Sequence, residues 1–386
     1  MNHVNRNLSL AVLLAAATVA PASAPLQRTD VFVAGQSGYH TYRIPALIIT
    51  RKQTLLAFCE GRKDSSSDTG NIDLLLKRSG DGGKTWSEPQ MIWDDGPNTC
   101  GNPCPVVDET TGTIWLLLTH NPGDKNEAQI SAGKSRAART VWLSRSTDDG
   151  ETWAPPVDIT ASAKDPSWGW YATGPGVGIQ IEHGPYRGRL VIPCDHSYRA
   201  NNRARGTAAI EGGSHVIYSD DHGQTWKLGG AVRPQMNESQ VVELSDGDGS
   251  MLLNMRNTSP ANRRAQSISH DGGQTWTSPE FPSELVEPRC QASLLRYNWP
   301  IAKEAGRLLF CNPASPRRRD LTVRVSGDDG KTWPISKILQ EGPAAYSCLA
   351  VLPDETIGCL YENGRTNAYE KITFARFSLE WLEESK

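Results

Sequence analysis

Arg43, Arg62, Arg256 and the run Arg317-Arg318-Arg319 share one feature: they stand at the edges of apolar, strand-like stretches. Met251-Leu252-Leu253-Asn254-Met255-Arg256 is the clearest case. Glu60, Asp64, Asp68, Asp195, Glu238 and Glu362, with His196 and Tyr346, occupy the same kind of position. Guanidiniums brought together repel: at ~4 Å and an effective dielectric near ~20, a like-charge pair costs roughly 4 kcal/mol. A chain that gathers them needs carboxylates or a bound anion between them, and the arginine fork suits a carboxylate, phosphate or sulfate. Tyr346 is a different tool, a phenol of ordinary pKa near ~10 that becomes a nucleophile only beside a base. One such arginine alone reads as a solvated or structurally paired side chain. Three or four collected from separate parts of the chain read as an anion site. Whether they meet depends on the elements that carry them.

Those elements repeat. Ser-x-Asp-x-Gly-x-Thr-Trp occurs five times without mismatch, at Ser79–Trp86, Ser146–Trp153, Ser219–Trp226, Ser269–Trp276 and Ser326–Trp333. In each box, Ser and Asp suit bonds to turn backbone, Gly suits a positive φ, and Trp suits packing on a hairpin base. The boxes therefore read as turns and not as catalytic groups. Around them, strand-like runs recur six times. The first runs are Tyr42–Ile49, Pro103–Val107, Gly176–Ile181, Gln240–Leu244, Gln291–Tyr297 and Ser347–Leu352. A second run follows each, as in Thr54–Cys59, and a third leads into the box, as in Ile72–Arg78. A polar or Pro-rich fourth run comes after it, as in Glu88–Trp93 and Pro156–Ile159. Units of about 60 residues with four antiparallel strands each predict an all-β, six-bladed β-propeller. The sixth unit has a third strand at Lys371–Leu379 and no box; the N-terminal strand Asp30–Ala34 is expected to complete it and close the ring, leaving no free edge.

This topology sorts the polar residues. The start of strand 1, the end of strand 2 and the strand 2–3 loop of each blade share one face, and the boxes lie on the other. Arg43, Glu238 and Tyr346 fall at strand 1 starts; Glu60, Arg62, Asp195, His196, Arg256 and Glu362 at strand 2 ends; Asp64, Asp68 and Arg317–Arg319 in the loops. All converge on one mouth of the central channel, which favours the anion site. The long loops expected at Asn121–Arg139 and His196–Gly213, both between strands 2 and 3, belong to that face, as do Trp168 and Trp170, which suit a ligand pocket or the core equally.

Composition narrows the classes. The chain has 386 residues, 40 basic and 43 acidic, for a net charge of −3, so no basic excess suggests a nucleic acid or an anionic membrane as partner. Arg6, the apolar run Leu8–Ala20 and the small residues at Ala22 and Ala24 read as an export signal over residues 1–24, too short to span a bilayer. The remainder, residues 25–386, is expected to be a single secreted or periplasmic domain and a monomer. Export permits disulfides among the eight cysteines. Cys100 and Cys104, bracketing a tight Gly-Asn-Pro loop, are the expected pair; the others suit buried free thiols equally. No Cys/His spacing reads as a metal site, and no cofactor is expected.

The chain resembles the exo-α-sialidases (neuraminidases) of bacterial and animal type, over nearly everything after the signal. The resemblance rests on Tyr42-Arg43-Ile44-Pro45, the five boxes, Asn237-Glu238-Ser239, Asn254-Met255-Arg256-Asn257, Asn312-Pro313 followed by Arg318, Tyr346-Ser347 and Tyr361-Glu362. It implies hydrolysis of terminal α-linked sialic acids from glycans, glycoproteins or glycolipids. It further implies an Arg43, Arg256 and Arg318 clamp on the sugar carboxylate, Glu362 holding Arg43, and Arg62 near the C4 hydroxyl. Tyr346 would be the nucleophile, Glu238 its base, and Asp68, rather than its rival Asp64, the general acid/base. Sialidases are exceptional among glycosidases in using tyrosine, and net retention is implied. The chemistry agrees: a neutral phenol avoids the repulsion a carboxylate would meet at an anomeric carbon that itself bears a carboxylate. A non-catalytic sialic-acid-binding propeller, a trans-sialidase and a Kdn hydrolase are the alternatives.

Overall fold

The computed structural model describes residues 26–133, 138–202, 207–260 and 262–384. The segment read as an export signal lies outside them. The described chain is dominated by antiparallel strands. After β1 (Gln27–Val33), the strands β2 (Thr41–Ile49), β3 (Leu55–Arg62), β4 (Ile72–Ser79) and β5 (Gln90–Trp93) pair in order. So do β6 (Thr99–Val107), β7 (Ile114–Asn121), β8 (Thr140–Ser146) and β9 (Val157–Asp158). The short β10 (Tyr171–Thr173) and β11 (Ile179–Gln180) share β12 (Leu190–Asn202), which pairs with β13 (Thr207–Ser219), and that with β14 (Lys227–Val232). β15 (Met236–Glu243), β16 (Met251–Asn257) and β17 (Ala265–Ser269) form a three-stranded sheet. The last sheet runs β18 (Ser293–Asn298), β19 (Arg307–Pro313), β20 (Arg319–Ser326), β21 (Ile335–Val351), β22 (Ile357–Asn363), β23 (Lys371–Phe377) and, on its edge, β1. Three short helices, α1 (Glu127–Ser131), α2 (Thr160–Ala163) and α3 (Leu379–Glu383), lie between or after strands. Among the described residues, no helix is long and apolar enough to cross a membrane.

Burial explains the sequence pattern. Every residue of β3 and of β22 is buried, because neighbouring sheets cover both faces. Such strands read as continuous apolar runs rather than alternating ones. The far ends of the first strands, including Ile49, Val107, Ile179, Glu243, Leu295 and Val351, line one cavity of about 860 Å³. Register separates this end from the other: Arg62 pairs with Ile72, while Leu55 pairs with Ser79, the start of the first box. Seven residues of strand are roughly 23 Å, so the box turns lie a full strand length from Arg62.

The boxes are tight turns, and they also join neighbouring sheets. In the first, Asp81 accepts from Ser79 Oγ (2.8 Å), from the Lys84 and Thr85 amides (3.0 Å each) and from Thr85 Oγ1 (2.6 Å), while Ser79 Oγ accepts from the Gly83 amide (2.9 Å). The residue before the box glycine has a positive φ in all five copies: Gly82, Asp149, His222, Gly272 and Asp329. Four reach back to the preceding group of strands, and Gly82, in the first group, reaches β23 of the last sheet. Asp149 accepts from Thr54 Oγ1 (2.6 Å), His222 meets Asp108 (3.0 Å), and Asp329 accepts from Ser245 Oγ (2.6 Å) and Arg296 (2.7 Å). The carbonyls of Gly272 and Gly82 accept from Arg189 (2.7 Å) and Arg376 (3.3 Å).

The structure corrects five expectations. Cys100 and Cys104 are both free, as are all eight cysteines. They lie on the one strand β6, where four residues of regular strand span roughly 13 Å, beyond the ~7 Å limit for a bridge. Of the first strand expected at Gly176–Ile181 only Ile179–Gln180 pairs, as β11; β10 lies before it, and Pro175, which has no N–H, stands between the two. The segment His196–Gly213 is not a loop: β12 and β13 pair from His196–Gly213 out to Asn202–Thr207. The strand expected to start at Ser347 is the second half of β21, which begins at Ile335 and serves two groups of strands. After the fourth box only isolated bridges, Arg263 with Val286 and Gln266 with Glu280, stand in for a fourth strand; Pro279, Pro282 and Pro288 interrupt the ladder there.

Candidate active site

The site is built on bulges. Register slips in β2 between Arg43 and Ala46, in β6 between Gly101 and Cys104, in β15 between Met236 and Ser239, and in β21 between Ala344 and Ser347. A bulge bends its strand and re-aims a side chain. Glu238 and Tyr346 are bulge residues, and in β2 Ile44 takes φ +61° with Pro45 beside it. Tyr346 rests on Ile44, Cys290, Ala345 and Ala368, a small apolar cluster beneath the site.

Glu362, at the end of β22 and fully buried, fixes one arginine. Its Oε1 accepts from Arg43 Nε (2.8 Å) and the Ile44 amide (2.9 Å); its Oε2 accepts from an Arg43 terminal nitrogen (3.4 Å) and the Tyr346 amide (3.2 Å). Burial works against the Arg43 charge, but Glu362 and then Tyr346 outweigh it, and the guanidinium is held more firmly protonated than usual. Arg43 lies over the rings of Tyr346 (5.0 Å) and Tyr369 (4.2 Å). Arg318 lies over Tyr346 as well (5.3 Å) and donates to Tyr369 Oη (2.8 Å) and the Arg289 carbonyl (3.2 Å). Arg256 donates to Glu238 Oε2 (2.7 Å) and Tyr346 Oη (3.2 Å), and its Nε has no partner among the described residues. Three guanidiniums from distant parts of the chain thus surround one phenol, with donors to spare.

Tyr346 is 4% exposed and its hydroxyl donates to Glu238 Oε1. Burial, then Glu238, push its pKa well above the ordinary phenol value, against Arg256 and Arg318. The resting phenol is therefore neutral and hydrogen-bonded to the Glu238 carboxyl group. Asp68 is 73% exposed at the side chain, with Oδ1 at 2.8 Å from Arg62 and 3.5 Å from Arg43. Surrounding protein pushes its pKa up, but Arg62 and then Arg43 prevail and hold it below the usual carboxylate value. Arg62 is buried and anchored by Glu60 Oε2 (2.6 and 3.0 Å) and the Ser66 carbonyl (2.7 Å).

All eight singled-out residues, Arg43, Arg62, Asp68, Glu238, Arg256, Arg318, Tyr346 and Glu362, are brought into this one contact network. Their rivals are not. Asp64 is exposed; Arg319 pairs with Asp320 (2.8 Å), and Arg317 and Arg319 both face solvent. Trp168 and Trp170 are both buried: Trp168 stacks on His196 (3.6 Å) and Trp170 lies under Arg139 (4.0 Å). Sequence reasoning missed Tyr369, which touches two of the arginines, and Asn102, whose Oδ1 accepts from the buried Arg139 and whose amide is bound by Glu60 Oε1 (3.0 Å). A Tyr in a polar loop offers no periodic signal. Asn102 precedes Pro103 as Ile44 precedes Pro45, a parallel between first strands that would have flagged it.

Residues 53–360 match the family described as "BNR repeat-like domain". A "Sialidase" of Micromonospora viridifaciens is 37% identical over 97% of this chain and 57% of its own length, so the chain spans little more than half of that relative. "Sialidase-3" of Mus musculus is 32% identical over 89% of this chain and 92% of its own. Among solved structures, "Hadza microbial sialidase Hz136" matches with a TM-score of 0.79 at 33% identity, covering 92% of this chain and 69% of that one. With an all-β fold of the β-propeller type and BNR repeats, the chain belongs to the sialidase family.

Proposed function

We propose that the protein is an exo-sialidase that removes terminal α-linked sialic acids from glycoconjugates with net retention. One observation carries the reading: the Tyr346 hydroxyl is bonded at once to Glu238 and Arg256, with Arg43 and Arg318 over its ring. In this reading Arg43, Arg256 and Arg318 bind the sugar carboxylate, placing the anomeric carbon against Tyr346. Tyr346 Oη attacks that carbon as Glu238 takes the phenolic proton, and Asp68 gives a proton to the departing glycosidic oxygen. Asp68 then takes a proton from the water that displaces the tyrosine, and Glu238 returns its proton to the departing phenolate oxygen of Tyr346. Arg62 lies beside Asp68 to meet a ring hydroxyl. The low pKa of Asp68 fits this cycle: a carboxylate docked on Arg43 offsets the positive charge that acidifies Asp68 and raises its pKa toward a proton-donating range.

The scaffold follows the same logic. We read the strand groups as six blades around a channel, supported by the six first-strand ends that line the one cavity, and the β1–β23 pairing as the closure of the ring. Residues 1–24 are read as an export signal, giving a secreted or periplasmic monomer. The test is proton NMR of α-sialoside hydrolysis in its first minutes, with the α-Kdn analogue in parallel. Release of the α anomer supports retention through Tyr346, and first release of the β anomer refutes it. Binding of a sialic acid analogue without turnover would mark a lectin.

A further inference from the structure

Asp195 sits at the site end of β12, directly across from Ser214 of β13. It is 1% exposed. Its Oδ2 accepts one hydrogen bond, from Asn237 Nδ2 at 3.2 Å, and its Oδ1 has no partner among the described residues. Ser214 Oγ donates to the backbone carbonyl of the same Asn237. This cross-strand pair therefore grips Asn237 by side chain and main chain together. The grip falls where β15 cannot hold itself: Asn237 and Glu238 lie in the bulge between the Met236–Asn257 and Ser239–Met255 pairs, with no register partner of their own.

We propose that Asp195 is a positioning residue for Glu238, acting through Asn237 as a neutral carboxylic acid. The proposal rests on the reading of Glu238 as the base for Tyr346. Buried and met by a single neutral amide, an ionised Asp195 is strongly disfavoured. The charged groups facing it are Glu238 of β15 and Glu127 of α1, against Arg256 of β16 and Arg139 before β8. Arg256 is engaged by Glu238 (2.7 Å), and Arg139 by Thr119, Asn121 and Asn102. His196, beside it, and His215, across from Cys194, are held neutral chiefly by burial. Burial and Glu238 push the Asp195 pKa well up. The consequence is functional: Glu238 remains the one carboxylate charge at the phenol, while its backbone is fixed by a group that adds no second charge.

The test pairs Asp195→Asn with Asp195→Ala. The amide keeps an acceptor for Asn237 and is neutral, so D195N is expected to hold kcat within about threefold and to leave the acid limb of the kcat/KM profile in place. D195A frees Asn237; a misplacement of about 1 Å at the reacting groups costs roughly 100-fold, so kcat is expected to fall about 10- to 100-fold with the affinity for a sialic acid analogue little changed. Ser214→Ala is expected to fall in the same direction. The infrared spectrum at neutral pH should show a carboxylic acid carbonyl band in the wild type that is missing in D195N. Three results overturn the proposal: D195N as impaired as D195A, an acid limb displaced in D195N, or kcat of folded D195A within twofold of wild type. Turnover of the wild type is measured first; if it fails, the sialidase reading falls with the base role of Glu238, while the infrared band still decides whether Asp195 is neutral.

Discussion

Glu362→Gln is the sharpest perturbation of this site, because the change is nearly isosteric and the structure fixes what it removes. Glu362 accepts four N–H groups, two on each oxygen, from Arg43, Ile44 and Tyr346, and none reaches solvent. Whichever way a glutamine amide turns, its NH2 faces two donors, and the Arg43 charge loses its close buried partner. A charge-assisted hydrogen bond is worth ~1.5–3 kcal/mol, and breaking a buried ion pair on one side costs ~3–5 kcal/mol. Asp68, at 3.5 Å and largely exposed, offsets little of this. We therefore expect a loss of about 3–5 kcal/mol by urea denaturation, or roughly 5 °C in Tm. The same bonds hold the Tyr346 and Ile44 backbone, so affinity for a sialic acid analogue should fall at least ~10-fold in the protein that remains folded. A variant within about 1 kcal/mol of wild type, with unchanged affinity, would refute the view that Glu362 anchors both arginine and nucleophile.

Three further outcomes are expected. Arg318→Ala should weaken analogue binding by roughly 10- to 150-fold while Arg317→Ala and Arg319→Ala stay near wild type, because of these three Arg318 is the one that lies over Tyr346; a severe Arg319→Ala measured by calorimetry would contradict this. Asp81 and Asp148 are each held at a pKa of about 2, chiefly by the hydroxyls of Thr85 and Thr152, so their stabilising effect is full above the ordinary carboxylate value and is lost as pH falls toward 2. Asp81→Ala should thus lower Tm at neutral pH, with the difference from wild type shrinking in acid and turnover per folded molecule unchanged; a box variant of native stability without activity would sink the assignment. Analogue binding near pH 5 should take up a proton through Asp68, seen by calorimetry in buffers of different ionisation enthalpy and absent in Asp68→Asn; an equal uptake in that variant would show that another group titrates.

Much of this was legible in the linear chain because it rests on local chemistry. The five boxes are short-range hydrogen-bonding patterns, so their spelling dictates their turns wherever they fall. The apolar second runs announce strands covered on both faces, and the antiparallel topology then places Arg43, Arg256, Arg318, Glu238 and Tyr346 on one face. Contacts between distant segments were decided by the tertiary structure alone. Tyr369 meets Arg43 and Arg318 only because β22 and β23 bring their loop over the clamp, and Asp195 reaches Asn237 across a gap between sheets. The position before each box glycine differs in spelling among copies, so its reach to the preceding strands had no signature to find. Cys100 and Cys104 misled for the opposite reason: closeness in sequence suggests a bridge, but an extended strand carries two residues apart at about 3.3 Å per step. Side-chain type and spacing determine what a segment is able to do; which polar atoms are left without partners, as at Asp195 Oδ1, is settled only when the sheets close around them.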